Sequence, residues 1–585
     1  SNLDLSLYFF FFFTFFSLFL ILQQISLILI TRSLYIPPLY QTQSKYLMTQ
    51  SDLNQLDSVS PQLSSFATDP TDQEKKLTEF NDDNKSVTSK DEDTKMSRNF
   101  STLQIVTIGF GLTNSWLGIL STLILSISSL GPLLVVYGIL IVASVSVCIA
   151  VTLGEMALAM PSAGGQYVWA RVLAPKKYSS FLAYITGSIS WGGAIFTTAS
   201  MNLAVAYQVL GFWNMTHPDH VNQKWEVFII YNILNWILFF FNIWHRFLPM
   251  IGDSVFGISL TSYCIILITV LVCARGHYQD AKFVFVHAVN NTGWPSKGIA
   301  FIVGLVNPAW AFSCLDSVTH LSEETAHPER DVPRAVLSTV GIGFVTSFTF
   351  SIAMFFCIRN LEEIMNSATG FPMLDIFYQA LGSTKVGAIC LGSLITLVAT
   401  GCTLSCIIYQ LRLLFSFLRD NGMPLSKYLS IIDPKTGGPF YAHLFSTVIV
   451  SVVSVLVFSD AALQATALAC VSFLLIAYLI PTICLLARRR QIRHGPFWLG
   501  KIGVFCNFVL LAWCIFAVVF FSFPANYPVT AEGMNYFCVV LVVYIICMLG
   551  YWWFPIKKYA CKYNFRGGNL NQEEVEFPDV CLTKW

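Results

Sequence analysis

The sequence predicts an all-α membrane protein of twelve transmembrane helices, and three observations predict it. Of 585 residues, 55% are hydrophobic and only 11% charged, whereas a soluble domain carries about 25% charged residues. Apolar stretches of about 18 to 25 residues, long enough at about 1.5 Å per residue to cross a hydrocarbon core, recur along most of the chain. Two of them, five apart in order, are interrupted in the same way by small and polar residues. Matched interruptions of this kind point to two inverted five-helix repeats, here followed by two further helices.

The elements follow in order. The run Leu5 to Thr31, "LSLYFFFFFTFFSLFLILQQISLILIT", is a low-complexity phenylalanine tract without the basic n-region of a secretory signal. Met48 opens a polar segment. Residues 1–47 are therefore expected to be an over-extended reading of the gene, the natural start being Met48, with an extra membrane helix or signal segment as the alternatives. Residues 48–101 are rich in Ser, Asp, Lys and Gln and hold too little apolar surface to offset the entropy of ordering, so a disordered cytosolic tail is expected. The membrane domain, 102–555, divides into spans at about 102–127, 131–155, 178–210, 225–244, 247–274, 298–321, 334–358, 384–418, 441–458, 462–487, 502–523 and 533–554. Residues 556–585 form a C-terminal tail, expected in the cytosol.

Charge gives the orientation. Lys and Arg are retained on the cytoplasmic side of short loops. One set of loops carries Arg171, Lys176, Lys177, Arg246, Arg330, Arg334, Arg419, Lys427, Lys435, Arg488, Arg489, Arg490, Arg493 and Lys501; the other carries only Lys224, Arg275, Lys282, Lys297, Arg359 and Lys385. Both termini are expected inside. The sequons at Asn214 and Asn290 then fall outside, where glycans are added, so both are glycosylation candidates. Net charge is +1 with no separate basic domain, which argues against a nucleic-acid partner and leaves the lipid bilayer as the partner that composition implies. The sixteen cysteines lie mostly inside apolar segments without zinc or redox spacing and read as small packing residues, so neither a metal nor a cofactor is expected.

The chemistry concentrates at the two interruptions. Span 1 contains "GFGLTNSWLG" (Gly109 to Gly118), with a Thr-Asn-Ser triplet before Trp116; span 6 contains "NPAWAFSCLDSVTH" (Asn307 to His320). Unwound helices leave backbone N–H and C=O groups free to hold a substrate at mid-membrane. Asp316 at that depth costs about 2.5 to 3.5 kcal/mol on insertion scales, so it is expected to face a cavity or a partner. It suits a cationic substrate or a proton, and Trp310 and Phe312 supply ring faces for an ammonium; the alternative is an Asp held by neighbouring hydroxyls for structure alone. His320, one turn on, is either its partner or an interfacial histidine. Glu155, at the inner end of span 2, reads equally as a gate, as a salt bridge to the basic loop or as a proton-coupling group. Glu323 belongs to "HLSEETAHPERDVPRA", read as a loop after span 6 with exposed or gating ion pairs. No P-loop, H-E-x-x-H or G-x-S-x-G pattern occurs, which removes the usual chemistry of a pump or hydrolase. Matched broken helices favour alternating access over a continuous pore.

"GEMALAMPSAGGQYVWARVLAP" resembles the loop after span 2 in the amino acid, polyamine and organocation transporter superfamily, and "HPERDVPRA" resembles its loop after span 6. "IGFGLTNSWLGI", "KGIAFIVGLVNPAWAFSCLDSVTH", "RDNGMPLS" and "HGPFWLGK" are similar to the fungal amino acid/choline transporter family. The resemblance covers about Leu103 to Trp553. It implies a 5+5 inverted repeat plus two helices, and a plasma-membrane secondary transporter taking up choline, with ethanolamine as a further substrate, on the proton gradient and membrane potential. The implied substrate site is Thr113, Asn114, Ser115 and Trp116 in span 1 with Trp310, Phe312, Ser313, Cys314 and Asp316 in span 6; Glu155, His320 and Glu323 are the coupling or gating candidates. Amino-acid-transporting relatives have a tight Gly-Ser-Gly in span 1 for the substrate carboxylate, whereas this chain has Thr113-Asn114-Ser115-Trp116, which fits a substrate without one. The competing expectations are a permease for γ-aminobutyrate, polyamines or other amino acids, and a non-transporting nutrient sensor. Ubiquitin-ligase and kinase action on the tails is a compositional expectation.

Overall fold

The computed structural model describes residues 101–553, except 221, 244–247, 326, 368, 424, 460, 493, 495–496 and 531–533. The expectations for residues 1–47, for the two tails and for Arg246 and Arg493 lie outside the described residues. Within them the backbone is helical, and the only β pairing is two isolated bridges. Among the described residues, eleven helices are long and apolar enough to cross a membrane, and a shorter apolar helix, Phe537–Tyr551, stands at the twelfth position.

Burial separates these helices into two groups. The spans Thr102–Ser121, Ser179–Thr216, Lys297–Glu324, Lys385–Arg419 and Ala462–Ala487 are mostly enclosed by protein, whereas Lys224–Phe241, Met250–Cys273, Phe440–Phe458 and Lys501–Phe520 are mostly exposed. Large apolar side chains point outward from the second group, among them Ile268, Val272, Phe505 and Ile515, as a lipid-facing surface requires. Spans 1, 3, 6, 8 and 10 thus form the core.

Two core helices are broken as the sequence predicts. Span 1 runs as Thr102–Thr113 and Ser115–Ser121, hinged at Asn114 with φ 35°. Its start carries a reciprocal cap between Ser101 and Gln104, a pairing that satisfies two N-terminal amides. Span 6 runs as Lys297–Gly304 and Val306–Ala311, then turns at Cys314 with φ 61° into a tighter 3-10 segment, Leu315–Glu324. Both breaks therefore use one non-glycine residue in the left-handed region, which asparagine adopts easily and cysteine does not. The halves meet at Gly118, where an added Cβ would come within 2.8 Å of the Ala311 backbone. Asn307 fastens the same contact by donating from Nδ2 to the Ile119 carbonyl at 3.0 Å and to Thr122 at 2.8 Å.

Three boundaries differ from expectation. Span 1 ends at Ser121 rather than 127, with a separate short turn at Ile124–Ile127. "HPERDVPRA" is not a loop: Pro328 opens the span 7 helix, Pro328–Phe356, with Glu329 and Asp331 in its first turn. A proline at the first helical position and carboxylates beside the helix N-terminus both favour that start. Span 3 extends to Thr216 and takes Asn214 into the helix, 3% exposed, its amide donating to Asn222. The expectation of a glycan at Asn214 is therefore withdrawn, because the acceptor nitrogen is enclosed and bonded. Asn290 is half-buried and donates to the Trp294 carbonyl at 2.8 Å.

Candidate substrate site

The two breaks face one small cavity. Thr113, Asn114 and Gly118 of span 1, Thr197 and Met201 of span 3, Trp310, Ser313 and Cys314 of span 6, and Cys402 and Cys406 of span 8 line it, with Leu112 and Leu117 completing the wall. A water-sized sphere has about 20 Å³ in which to move its centre, room for one or two waters. Admitting an organic molecule requires the helices to part, as alternating access demands. No charged side chain is in the lining.

The walls are held by hydrogen bonds behind them. The Trp116 indole N–H donates to Ser259 at 3.0 Å, and the Ser259 hydroxyl donates to the Asn114 side-chain carbonyl at 3.1 Å. Trp116 is fully buried against Tyr263 and Phe350. Trp310 donates to Ser200 at 3.0 Å, and Ser313 donates back to the Trp310 carbonyl at 2.7 Å. Thr197 sits between two thiols, 3.3 Å from Cys314 and 3.0 Å from Cys470.

Of the residues expected in the site, Thr113, Asn114, Trp310, Ser313 and Cys314 come together at this cavity. Ser115 and Trp116 face away from it, Ser115 against Gly343. Phe312 lines a second small cavity, which shares Ser313 and Cys314 with the first and includes Tyr478 and Trp513. Asp316 lines neither. It is fully buried, accepting from Tyr409 at 2.8 Å and Tyr478 at 2.6 Å, with His320 Nε2 3.3 Å away. His320 Nδ1 lies 2.6 Å from the Ala163 carbonyl, an acceptor only, so Nδ1 carries a hydrogen. A carboxylate facing Nε2 then requires one more proton on the pair, either on the imidazole or on Asp316.

The loop after span 2 docks here. Ala163 gives its N–H to Glu323 at 3.0 Å and its carbonyl to His320, and Glu323 also pairs with Arg419 at 3.4 Å. Beside it Tyr167 donates to Asp420 at 2.9 Å. Burial pushes the Asp420 carboxyl up to about 6, and the Tyr167 bond, Arg419 and Arg171 lower it only in part. Glu155 belongs to a different cluster. It is fully buried and pairs with Arg490 at 2.5 Å, accepts from the Leu499 amide at 3.0 Å, and is fixed through Arg490 to Asn507 and the Trp498 ring. Of the three readings of Glu155, the salt bridge to the basic loop is the one the geometry realises.

Tyr409, Tyr478, Ser259, Cys402, Cys406 and Met201 were not singled out by sequence. Tyrosine in otherwise aliphatic spans, as in "CIIYQLR" and "LLIAYLIP", was the available signal for the first two.

Residues 100–544 match the family described as Amino acid permease. The chain belongs to that family. The permease is 50% identical over 477 residues to the "Choline transporter" of Saccharomyces cerevisiae, covering 81% of this chain and 84% of that one. It is 34% identical to the "Transmembrane transporter swnT" of Metarhizium robertsii, covering 77% and 90%, and 28% identical to "Amino-acid permease 2" of Neurospora crassa, covering 78% and 84%. The permease is a multi-pass membrane transporter, and its two broken core spans are those of a 5+5 repeat with two additional helices.

Proposed function

We propose that the permease takes up choline, and ethanolamine less well, across the plasma membrane by alternating access. The observation that carries this reading is the cavity at the breaks, which has Trp310 and the soft side chains of Met201, Cys314, Cys402 and Cys406 in its wall and no ion-pair partner within it. A quaternary ammonium donates no hydrogen bond and is favoured by aromatic and polarisable surroundings. The 50% identity to a choline transporter supports the same substrate. Asp316 lies just past the lining residues Ser313 and Cys314, so its charge acts on the cation through the wall rather than by contact. The Asp316–His320 pair, with its one additional proton, is the coupling site, and Glu323 and the Ala163 loop form the inner gate. This gate end faces the cytosol together with both termini, in keeping with its basic loops, and Asn290 is the external glycan acceptor. The tails are the place for regulation by kinases or ubiquitin ligases.

The test is uptake of radiolabelled choline in cells lacking their own carrier, expressing the chain from Met48, at acidic and neutral external pH. Saturable uptake that falls with a protonophore, is competed by unlabelled choline and is not competed by γ-aminobutyrate supports the proposal. Surface-localised protein without choline uptake refutes it and moves the amine and amino acid panel to the front.

A further inference from the structure

Asn114 is fully buried and lines the cavity, yet among the described residues its side-chain nitrogen has no hydrogen-bond partner. An enclosed amide donor left unpaired is costly, and native structures avoid it unless something else is bound there. The orientation of that amide follows from its neighbours. Trp116 Nε1 can only donate, so Ser259 must accept from it at 3.0 Å. The Ser259 hydroxyl hydrogen is thereby free for Asn114 Oδ1, 3.1 Å away. With Oδ1 engaged on the Ser259 side, Nδ2 is the end left to the cavity. The left-handed backbone at Asn114, φ 35°, places this amide at the point where the helix ends and restarts.

We infer that Asn114 is the specificity residue for the uncharged end of the substrate: its Nδ2 donates to the hydroxyl oxygen of choline while Trp310 and the sulfur-bearing wall hold the trimethylammonium. Ser259 and Trp116 are positioning residues that fix the amide and touch no substrate. The inference rests on the choline reading and deepens it. It explains how a cavity without a charged group discriminates among cations of similar size. A site built to hydrogen-bond a hydroxyl rejects the analogue that lacks it, because its own buried donor is then stranded.

The experiment compares choline with ethyltrimethylammonium, which has hydrogen in place of the hydroxyl, as competitors of radiolabelled choline uptake, with surface protein measured by biotinylation. Wild type is expected to prefer choline by about tenfold or more. In Asn114→Leu the choline affinity drops by about that factor while ethyltrimethylammonium inhibits as before, so the preference disappears. Ser259→Ala, which keeps Asn114 but releases its orientation, shows a smaller loss of the same preference and serves if Asn114→Leu fails to reach the surface. Equal losses for both ligands, or an unchanged preference in both variants, overturn the inference while leaving choline transport in place. Absence of choline uptake in wild type overturns the functional reading and the inference with it.

Discussion

Two polar groups near the middle of the bundle, Asn114 and Asp316, are in opposite states. Asp316 carries a full charge or a shared proton and is held by three side chains, two phenol groups and an imidazole. Asn114 is neutral and keeps a donor with no partner among the described residues. The more expensive group has three partners and the cheaper one keeps an open donor. On the proposed reading, the charge serves the protein's own conformational change and the ligand meets weaker, more selective contacts. An exposed carboxylate in the cavity would bind any small cation; a carboxylate behind the wall attracts cations without choosing among them.

Replacing Asp316 tests the comparison most severely. Asp316→Asn leaves two phenols and an imidazole to share an amide and removes the charge, and breaking a buried charged cluster on one side costs about 3–5 kcal/mol. Choline uptake is expected to fall by about 100-fold or more with protein still at the surface, and the residual uptake to lose its dependence on external pH. Normal apparent affinity together with normal pH dependence would remove Asp316 from both roles. Trp310→Leu comes next. A cation–π contact in a desolvated site is worth about 2 kcal/mol, so apparent choline affinity is expected to weaken by about 30-fold, and ethanolamine less, because its ammonium can donate hydrogen bonds elsewhere. Equal weakening of the two would make Trp310 a packing residue tied to Ser200.

A third carboxylate sharpens the contrast at smaller amplitude. Asp375 lies in the helix Pro372–Ala380 between spans 7 and 8 and accepts only from hydroxyls, Thr369 at 2.6 Å and Ser367 at 3.0 Å. Burial raises its pKa from 3.8 to about 6, the two hydroxyl bonds lowering it in part. A raised folded-state value means the folded protein holds the proton more tightly, so stability is greatest below about 4 and is lost as pH rises through about 6. The difference amounts to about 3 kcal/mol. Melting of detergent-purified protein from pH 4 to 7 is expected to show a steeper fall for wild type than for Asp375→Asn; parallel curves would mean that the hydroxyls fully stabilise the charge.

The sequence made the spans and both breaks legible because each is a local signal: apolar length, and a Thr-Asn-Ser triplet or a proline within it. Asp316 was visible as a carboxylate at membrane depth for the same reason. Its partners were not, since Tyr409 and Tyr478 are 93 and 162 residues away and only the packing of spans 8 and 10 brings them in. Which face of a broken helix looks inward was equally hidden. Trp116 read as a site residue and is instead bonded to Ser259 and packed against Tyr263 and Phe350, although its neighbours Leu117 and Gly118 do line the cavity. The span 7 start was legible and misread: Pro328 followed by Glu329 is a helix-opening pattern, but the density of charge around it suggested a loop.

The loop after span 2 is gripped through the backbone of Ala163, N–H by Glu323 and carbonyl by His320. A latch fastened to main-chain atoms is indifferent to the side chain at the position it holds. Almost any residue at 163 would preserve both bonds, proline alone deleting the N–H, so the two side chains that make this contact both come from span 6. Drift in the loop sequence can change its surface while these two bonds stay with His320 and Glu323.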